Sequence, residues 1–522
     1  MATYIPYAET GYFSKLVLDY LSGADYLKEF YNLPPTIDSF EEQITRKEQQ
    51  FCQQQRDVLH KVLAGQHANL KTVHPKVKEN IELLRQADTF TITTGHQICL
   101  FTGPLYFIYK IITAIRCCEE LKKRYPQYNF VPVYWMATED HDFEEVNHFR
   151  LFGKTYAWNT NQTGAVGRFS TEGLGDFFKR LPERMPLFEE PYLQHSNLAD
   201  ATRELVHRLF AEYGVVSLDA DNPDLKRAFL PAAEQDLLQQ ISQRKVHEVT
   251  ERLAAYVKMQ VNARPINLFY LKDNLRERIE QDGEVWKVLN TNIQFTKEAL
   301  LAELQNHPER FSPNVILRPL YQEMVLPNLA YIGGGAEVAY WLEFKNVFAH
   351  FQVPFPVVML RNSAMYIPAS LNKRLEKLQL SVPDLFTDAA GLRKKVLARV
   401  EGFEEISLES QQKKLADLYE QLKELATKLD STLIKSVAAA EKRTSKDVAR
   451  LEKKFNRASE RKHSTLLNQL DDLLEQLFPG GVLQERKDNV AGFMLFNRFF
   501  VDQMKQAFDP FGHSFTIVKE QE

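Results

Sequence analysis

Cysteine is scarce. Four residues, Cys52, Cys99, Cys117 and Cys118, are spread over 522 positions, and none forms a C-x-x-C pair. That excludes a disulfide scaffold, a zinc ribbon and a thioredoxin motif. No apolar run reaches the about 18 residues of a membrane helix, and Met1–Lys15 lacks the basic stretch and apolar run of a secretory signal. A cytoplasmic protein without a membrane partner is the expectation. Charge of one sign is also lacking: the formal net charge is −4 and the pI about 6.4, so a general nucleic-acid binder is not indicated. No Walker A sequence, no G-x-G-x-x-G and no internal repeat is present.

What is present is a core-forming composition, 44% hydrophobic and 26% charged, in a chain too long for one simple core. Residues 1–88 read as a helical region. Thr89–Thr93 (TFTIT) predicts a buried strand, Thr94–Gly103 a loop, and Pro104–Lys123 a helix with Thr102 as its N-cap. Asn129–Met136 (NFVPVYWM) predicts the next strand, so the segment reads as a βαβ unit of a parallel sheet. A break in texture at Phe152–Gly175 marks an insertion. The rhythm resumes at Gly214–Ala220, with Ile266–Leu271 as a further strand, and Gln281–Arg310 marks a second insertion. Val315–Pro327 predicts a helix, Asn328–Ile332 a strand, Ala336–His350 a helix and Phe355–Leu360 a strand.

No Gly or Pro lies between Gly402 and Pro479, and leucines such as Leu415, Leu418, Leu422, Leu425 and Leu429 keep 3-4 spacing. This predicts an antiparallel coiled coil, since one straight helix would span about 110 Å. The polar stretch Glu441–Lys446 is the preferred turn, with Asp430–Thr432 competing. The fold class is therefore α/β, a Rossmann-like parallel-sheet core with two insertions and a C-terminal coiled coil. The core is 89–148, 214–272 and 313–400, the insertions are 149–213 and 273–312, the coiled coil is 401–478, and 479–522 packs back on the core.

Four groups could carry chemistry. Thr94-Gly95-His96-Gln97 with Thr102-Gly103-Pro104 lies between a strand and a helix start, where amides favour phosphate or carboxylate; a tight turn facing water explains it equally. Glu139-Asp140-His141-Asp142 follows the second strand, at the sheet edge where ligands bind. Its carboxylates could hold an amine, orient His141 or bind Mg²⁺, or merely dress a helix start. Gly333-Gly334-Gly335 with Glu337 forms a glycine turn between strand and helix, and Arg318 could pair with phosphate or carboxylate. Cys99 beside His96 reads as a buried hydrophobe ahead of a nucleophile. Lys442–Lys462 holds nine Lys/Arg against three Asp/Glu, so the arm admits a second reading as an RNA- or tRNA-binding element, and a third as a non-catalytic scaffold.

Together the blocks TGHQICLFTGPLYFIYK (Thr94–Lys110), VPVYWMATEDHDFEEVNH (Val131–His148), NVILRPLYQEMVLPNLAYIGGGAEVAYW (Asn314–Trp341), VVMLRNS (Val357–Ser363) and FPGGVLQERKDN (Phe478–Asn489) resemble the cysteine-adding ligase family of bacillithiol biosynthesis. The family commonly has G-Q-Q at Gly95-His96-Gln97 and G-G-P-G-E at Gly333–Glu337. The resemblance implies a nucleotidyltransferase-type Rossmann core with two connecting-peptide insertions, a homodimer, and ATP-dependent amide formation between L-cysteine and glucosaminyl-malate. It implies no tightly bound metal, with Mg²⁺ as a companion of ATP or another nucleotide. On this reading His96, Asp140, His141 and Asp142 act in catalysis, with His141 accepting the amine's proton. Gly95, Gln97, Thr102, Glu139, Arg318 and Tyr340 bind substrate. Gly333, Gly334, Gly335, Glu337, Gln484 and Arg486 bind nucleotide, the last two in a second pocket.

Overall fold

The computed structural model describes residues 2–400, 403 and 406–520. It divides into two compact units, residues 1–366 with 482–518 and residues 367–481 with 519–522.

The larger unit is organised by a five-stranded parallel sheet. Its strands, in chain order, are Thr89–His96, Asn129–Met136, Val216–Asp219, Asn328–Gly333 and Val357–Leu360. Their spatial order is third, second, first, fourth, fifth, and every pairing is parallel. The order reverses between the first and fourth strands, which is where such sheets open a crevice at their carboxyl ends. Seven of the eight residues of Thr89–His96 are buried, because helices cover both faces. The first strand therefore runs three residues beyond Thr93. Register explains this: Thr94, Gly95 and His96 pair with Tyr134, Trp135 and Met136.

A buried polar network locks the first and fourth strands. The Thr91 and Thr93 hydroxyls donate to Asn328 Oδ1 at 3.1 and 2.8 Å. Asn328 Nδ2 donates to Glu323 Oε1 at 2.6 Å. Lys47, on the helix Ser39–Gln50, donates to the Glu323 carbonyl at 3.1 Å, with its Nζ 3.6 Å from the Glu323 carboxylate. Lys47 and Glu323 are fully buried, so each depends on the other for compensation of its charge.

Several expectations need correction. The strand foreseen at Ile266–Leu271 exists as Leu268–Lys272, but it belongs to a separate antiparallel sheet ordered Gln294–Phe295, Val285–Val288, Leu275–Asp282, Leu268–Lys272, Phe311–Pro313. Ala336–His350 is two helices, Gly335–Trp341 and Lys345–His350. The N-terminal region opens with a strand, Ala2–Pro6, which pairs antiparallel with the C-terminal strand, Ala2 opposite Val518 and Pro6 opposite Ser514. Thr102 is not an N-cap. It sits at φ 71° in a turn, and the helix it precedes is Tyr106–Arg124. Asn489 Nδ2 fixes that turn by donating to the carbonyls of Phe101 and Gly103, both at 2.6 Å, while Leu105 N donates to the Asp488 carbonyl at 2.8 Å. The LFTGP and KDN blocks thus hold one another.

In the smaller unit the helices Glu409–Leu429 and Leu433–Arg461 form an antiparallel hairpin, followed by Ser464–Leu477. Glu404 and Glu405, where the heptad signal begins, lie outside the described residues. Tyr419 bonds Thr444 at 2.7 Å and Lys423 pairs with Glu441 at 2.6 Å across the hairpin. The turn is at Asp430–Thr432, not Glu441–Lys446. Asp430 leaves helical geometry, and its Oδ1 accepts from Thr432 N and Oγ1 at 2.9 and 2.8 Å. Glu441–Lys446 is polar, yet it contains no residue that stops a helix.

Asn328→Leu removes the link between Thr91, Thr93 and Glu323 while keeping the volume. We expect it to destabilise the protein by about 2–4 kcal/mol, read as a lowered urea midpoint at unchanged slope. An unchanged midpoint would show that the network contributes no net stability.

Candidate active site

The carboxyl ends of the first, second and fourth strands open into a cleft of about 720 Å³. Gly95, His96 and Gln97 line it from the first strand, Thr138, Glu139 and Asp140 from the second, and Gly334, Gly335 and Glu337 from the fourth. The His96 and His141 segments therefore meet. Gln97 Nε2 donates to Asp140 Oδ2 at 2.8 Å and to Glu145 Oε2 at 2.9 Å. Asp140 Oδ1 accepts from the His141 amide at 2.7 Å.

Behind this edge lies Lys110, on the helix Tyr106–Arg124. It is buried, donates to the Gly95 carbonyl at 2.9 Å and pairs closely with Glu337. Glu337 also accepts from the Tyr331 hydroxyl at 2.6 Å and the Gly334 amide at 2.8 Å. Burial alone would raise its carboxyl pKa. Lys110 and these hydrogen bonds outweigh that and hold it below the ordinary value. Gly95 packs closely here: a Cβ there would stand 3.1 Å from the Tyr331 hydroxyl oxygen, so that side chain would have to shift by a few tenths of an ångström.

The cleft is rich in cations. Besides Lys110 it is lined by Arg264, Arg276, Arg278, Arg318, Arg361 and Arg486. Arg318 lies over the Tyr331 ring at 5.5 Å and donates to Gln322 at 3.1 Å. Among the described residues it has no carboxylate partner. Arg276 comes from the antiparallel sheet and stacks on Phe269 at 4.0 Å. Its Nη1 is 2.7 Å from His141 Nδ1. An arginine only donates, so His141 Nδ1 must accept, and the neutral ring carries its proton on Nε2. Burial, then the Arg276 charge, lowers the His141 pKa against Asp140, Asp142 and Glu277. His141 is thus a hydrogen-bond donor rather than the base expected from sequence. His96, between Tyr106 and Phe107, is pulled down to about 3 by burial and then by Lys110, and stays neutral.

Other assignments also change. The Glu139 carboxylate already holds an ammonium group, that of Lys226 at 2.5 Å. Asp142, like His141, lies outside the cleft lining and is exposed; His141 reaches the lining through Arg276, and the acids facing Gln97 are Asp140 and Glu145. Thr102 is buried and outside the lining. Gly333 is buried in the strand end, where its carbonyl accepts from Arg361 N at 2.8 Å. Gln484 is committed to both backbone groups of Tyr366, at 2.9 and 3.1 Å. Arg486 lines this same cleft. Tyr340 lines the cleft. Cys99 is buried 3.7 Å from His96 Nε2, and burial pushes its thiol up to about 12, which removes the nucleophile reading. Among the described residues no group of three His, Cys, Asp or Glu is arranged to hold a metal ion.

Sequence reasoning missed Lys110, Tyr331, Arg276 and Arg361. Lys110 had a signal, as a lone charge among Phe107, Ile108, Ile111 and Ile112 on a buried helix. Arg361 directly follows a buried strand. Arg276 had none, since its insertion shows no link to the core in sequence.

A parallel sheet with a charged crevice at its switch point defines a Rossmann-like protein. More narrowly, the chain belongs to the bacillithiol biosynthesis BshC family. Residues 1–362 match that family's N-terminal Rossmann-like domain and residues 364–520 its C-terminal coiled-coil domain. It is 48% identical to a curated protein of Flavobacterium johnsoniae, covering 94% of each chain. It is 44% identical to one of Flavobacterium psychrophilum, covering 99% of each. A relative from Natranaerobius thermophilus is 30% identical over 92% of this chain and 93% of its own. All three carry the name "Putative cysteine ligase BshC".

Arg276→Met keeps apolar contact with Phe269 and removes the cation. The His141 imidazole, followed by NMR, should then titrate at higher pH than in the parent, because Asp140, Asp142 and Glu277 remain. An unchanged titration would detach Arg276 from His141.

Proposed function

We propose that the cleft is the active site of an amide-forming ligase that joins the carboxylate of L-cysteine to the amino group of glucosaminyl-malate, with ATP as the activating nucleotide. The observation that carries this is the meeting of Gln97, Asp140 and Glu145 at one end of a cleft otherwise lined by seven Lys and Arg side chains. A reaction between an amine and a carboxylate needs both an anionic and a cationic surface, and the cleft offers each.

Asp140 and Glu145, held at one amide, bind an ammonium group and keep it from the cations. Glu145 makes fewer hydrogen bonds than Asp140 and takes the proton that the amine gives up on attack. Arg318 faces the developing negative charge, with Lys110 fixed behind it. Nucleotide phosphates would be held by Arg486, Arg318 and the Gly334-Gly335 turn; the nucleotide, when bound, supplies the activation that a free carboxylate lacks. A magnesium ion would travel on the phosphates. His141 Nε2–H and Tyr340 orient the sugar and malate groups. The name shared by the relatives and the membership of this chain in their family support the ligase class. The arm's charges form mixed pairs such as Lys423–Glu441 and Arg450–Asp447, and nothing further favours RNA.

Purified protein with ATP, L-cysteine and glucosaminyl-malate should yield the cysteinyl amide by mass spectrometry. Asp140→Asn should lower turnover about 100-fold, or roughly 2.7 kcal/mol of transition-state stabilisation, at unchanged melting temperature. Absence of product from folded parent protein would defeat the ligase reading, and full turnover by the variant would move the ammonium site elsewhere.

A further inference from the structure

Arg361 lies directly after the fifth strand and is 6% exposed. Its Nη2 pairs with Glu485 at 2.7 Å. Its Nη1 donates to the Asn362 carbonyl and the Ser363 hydroxyl, both at 3.0 Å. Glu485 is itself locked, since its other oxygen accepts from the Ala364 amide at 2.9 Å. The guanidinium plane is therefore fixed, and it lies 5.5 Å from the centre of the Tyr106 ring. Nε is the one guanidinium nitrogen left over. Arg361 Nε is buried with no hydrogen-bond partner among the described residues. Buried donors left in that state are uncommon and call for an explanation.

The explanation lies in what Nε faces. Arg361 and Gly334 both line the cleft. A Cβ built on Gly334 would stand 3.8 Å from Arg361 Nε and 3.5 Å from Glu337 Oε2. The place of the missing methyl is thus bounded by a charged N–H donor. Gly334 has φ −78° and ψ 171°, an ordinary extended conformation, so the backbone does not demand glycine there. Packing does not demand it either, because both distances are van der Waals contacts. Arg361 and the open side of Gly334 remain explained only by something that approaches them.

We propose that Arg361 Nε–H and Gly334 form an oxyanion subsite that receives one oxygen of a carboxylate or phosphate group of the ligand, with Glu485 as the positioning residue that aims the guanidinium. Nη1 is saturated by the Asn362 carbonyl and the Ser363 hydroxyl and Nη2 is bonded to Glu485, so Nε is the nitrogen left to meet the ligand oxygen. This rests on the cleft being the ligand site of the proposed ligase, and it adds a contact that sequence reasoning did not assign.

The test uses the full chain and two variants. Gly334→Ala fills the space without straining the free protein. Arg361→Lys keeps a cation for Glu485 and loses Nε–H. Binding of L-cysteine, glucosaminyl-malate and ATP is measured separately by calorimetry, with melting curves and the product assay alongside. Gly334→Ala should melt as the parent does and bind one of the three ligands about tenfold or more weakly, with Arg361→Lys weakening the same ligand. Loss confined to cysteine or glucosaminyl-malate identifies a carboxylate; loss confined to ATP identifies a phosphate. Should Arg361→Lys fail to fold, Gly334→Ala decides alone. Parent-like affinity of Gly334→Ala for all three ligands, or no binding of any of them by the parent, overturns the subsite and leaves Nε to water. Product formation that both variants sustain at the parent's rate overturns it while the ligase stands. A variant-sensitive affinity in a parent that makes no product keeps the subsite and removes the ligase.

Discussion

The ion pair between Lys110 and Glu337 is the constraint on which the cleft depends. Lys110 belongs to the helix after the first strand, and Glu337 to the helix after the fourth. These strands are neighbours, and the crevice lies between their ends. Lys110 also holds the Gly95 carbonyl, and Glu337 holds Tyr331 and the Gly334 amide. One buried pair therefore sets the distance between the two turns that bound the ligand site. Neither charge could be buried alone, since an unpaired ion in such surroundings costs several kcal/mol. The pair is also almost wholly removed from solvent competition at the Lys110 end, 4% exposed against 20% for Glu337. Its orientation is thereby fixed, with the carboxylate toward the cleft.

From this follows the division of charge around the site. The parallel sheet supplies Lys110, Arg318 and Arg361 at the switch point and the acids Asp140 and Glu145 one strand away. The antiparallel sheet contributes Arg276, which reaches the loop after the second strand through His141. Gln97 has the central task. Its single amide nitrogen faces two carboxylates, 2.8 and 2.9 Å away, and so draws together charges that would otherwise repel. Two acids are brought together by a neutral donor and, among the described residues, neither has a Lys or Arg salt-bridge partner, in contrast to Glu139, which Lys226 neutralises. The adjacent acids of the EDHD block are thus chemically different, although sequence shows them as one run.

What could be read in the sequence followed physical periodicity. Short β-branched and aromatic runs located the strands, and glycine-bearing turns after them located two of the three cleft-lining segments. What could not be read was of two kinds. Some polar residues serve the backbone rather than a ligand: Gln484 satisfies Tyr366, and Asn489 holds the strained turn at Phe101 and Thr102. Local sequence cannot tell a buried backbone partner from a ligand partner. Other residues arrive from distant segments, as Arg276 does from beyond a composition break, and nothing in the neighbours of position 276 announces His141. The hairpin turn failed for a different reason. Polarity was taken as the sign of a turn, whereas the turn formed at Asp430, whose side chain offers the backbone an alternative to helix.

The two histidines show how environment decides chemistry. Each has a cation beside it, Lys110 for His96 and Arg276 for His141, and each is partly withdrawn from water. Both effects favour the neutral ring, so neither histidine gains a proton near neutral pH. His141 has its accepting nitrogen occupied by an arginine that cannot leave without exposing its own charge. On the proposed reading proton acceptance falls to carboxylates, and among the described residues Asp140 and Glu145 are the acids that Gln97 brings together at the cleft. The same logic keeps Cys99 inert. The thiol is buried, and burial pushes its pKa far above neutral. The residues that look most reactive in the sequence, His96, His141 and Cys99, are those whose surroundings favour the uncharged form, and the proposed proton transfer rests instead on carboxylates placed by a neutral amide.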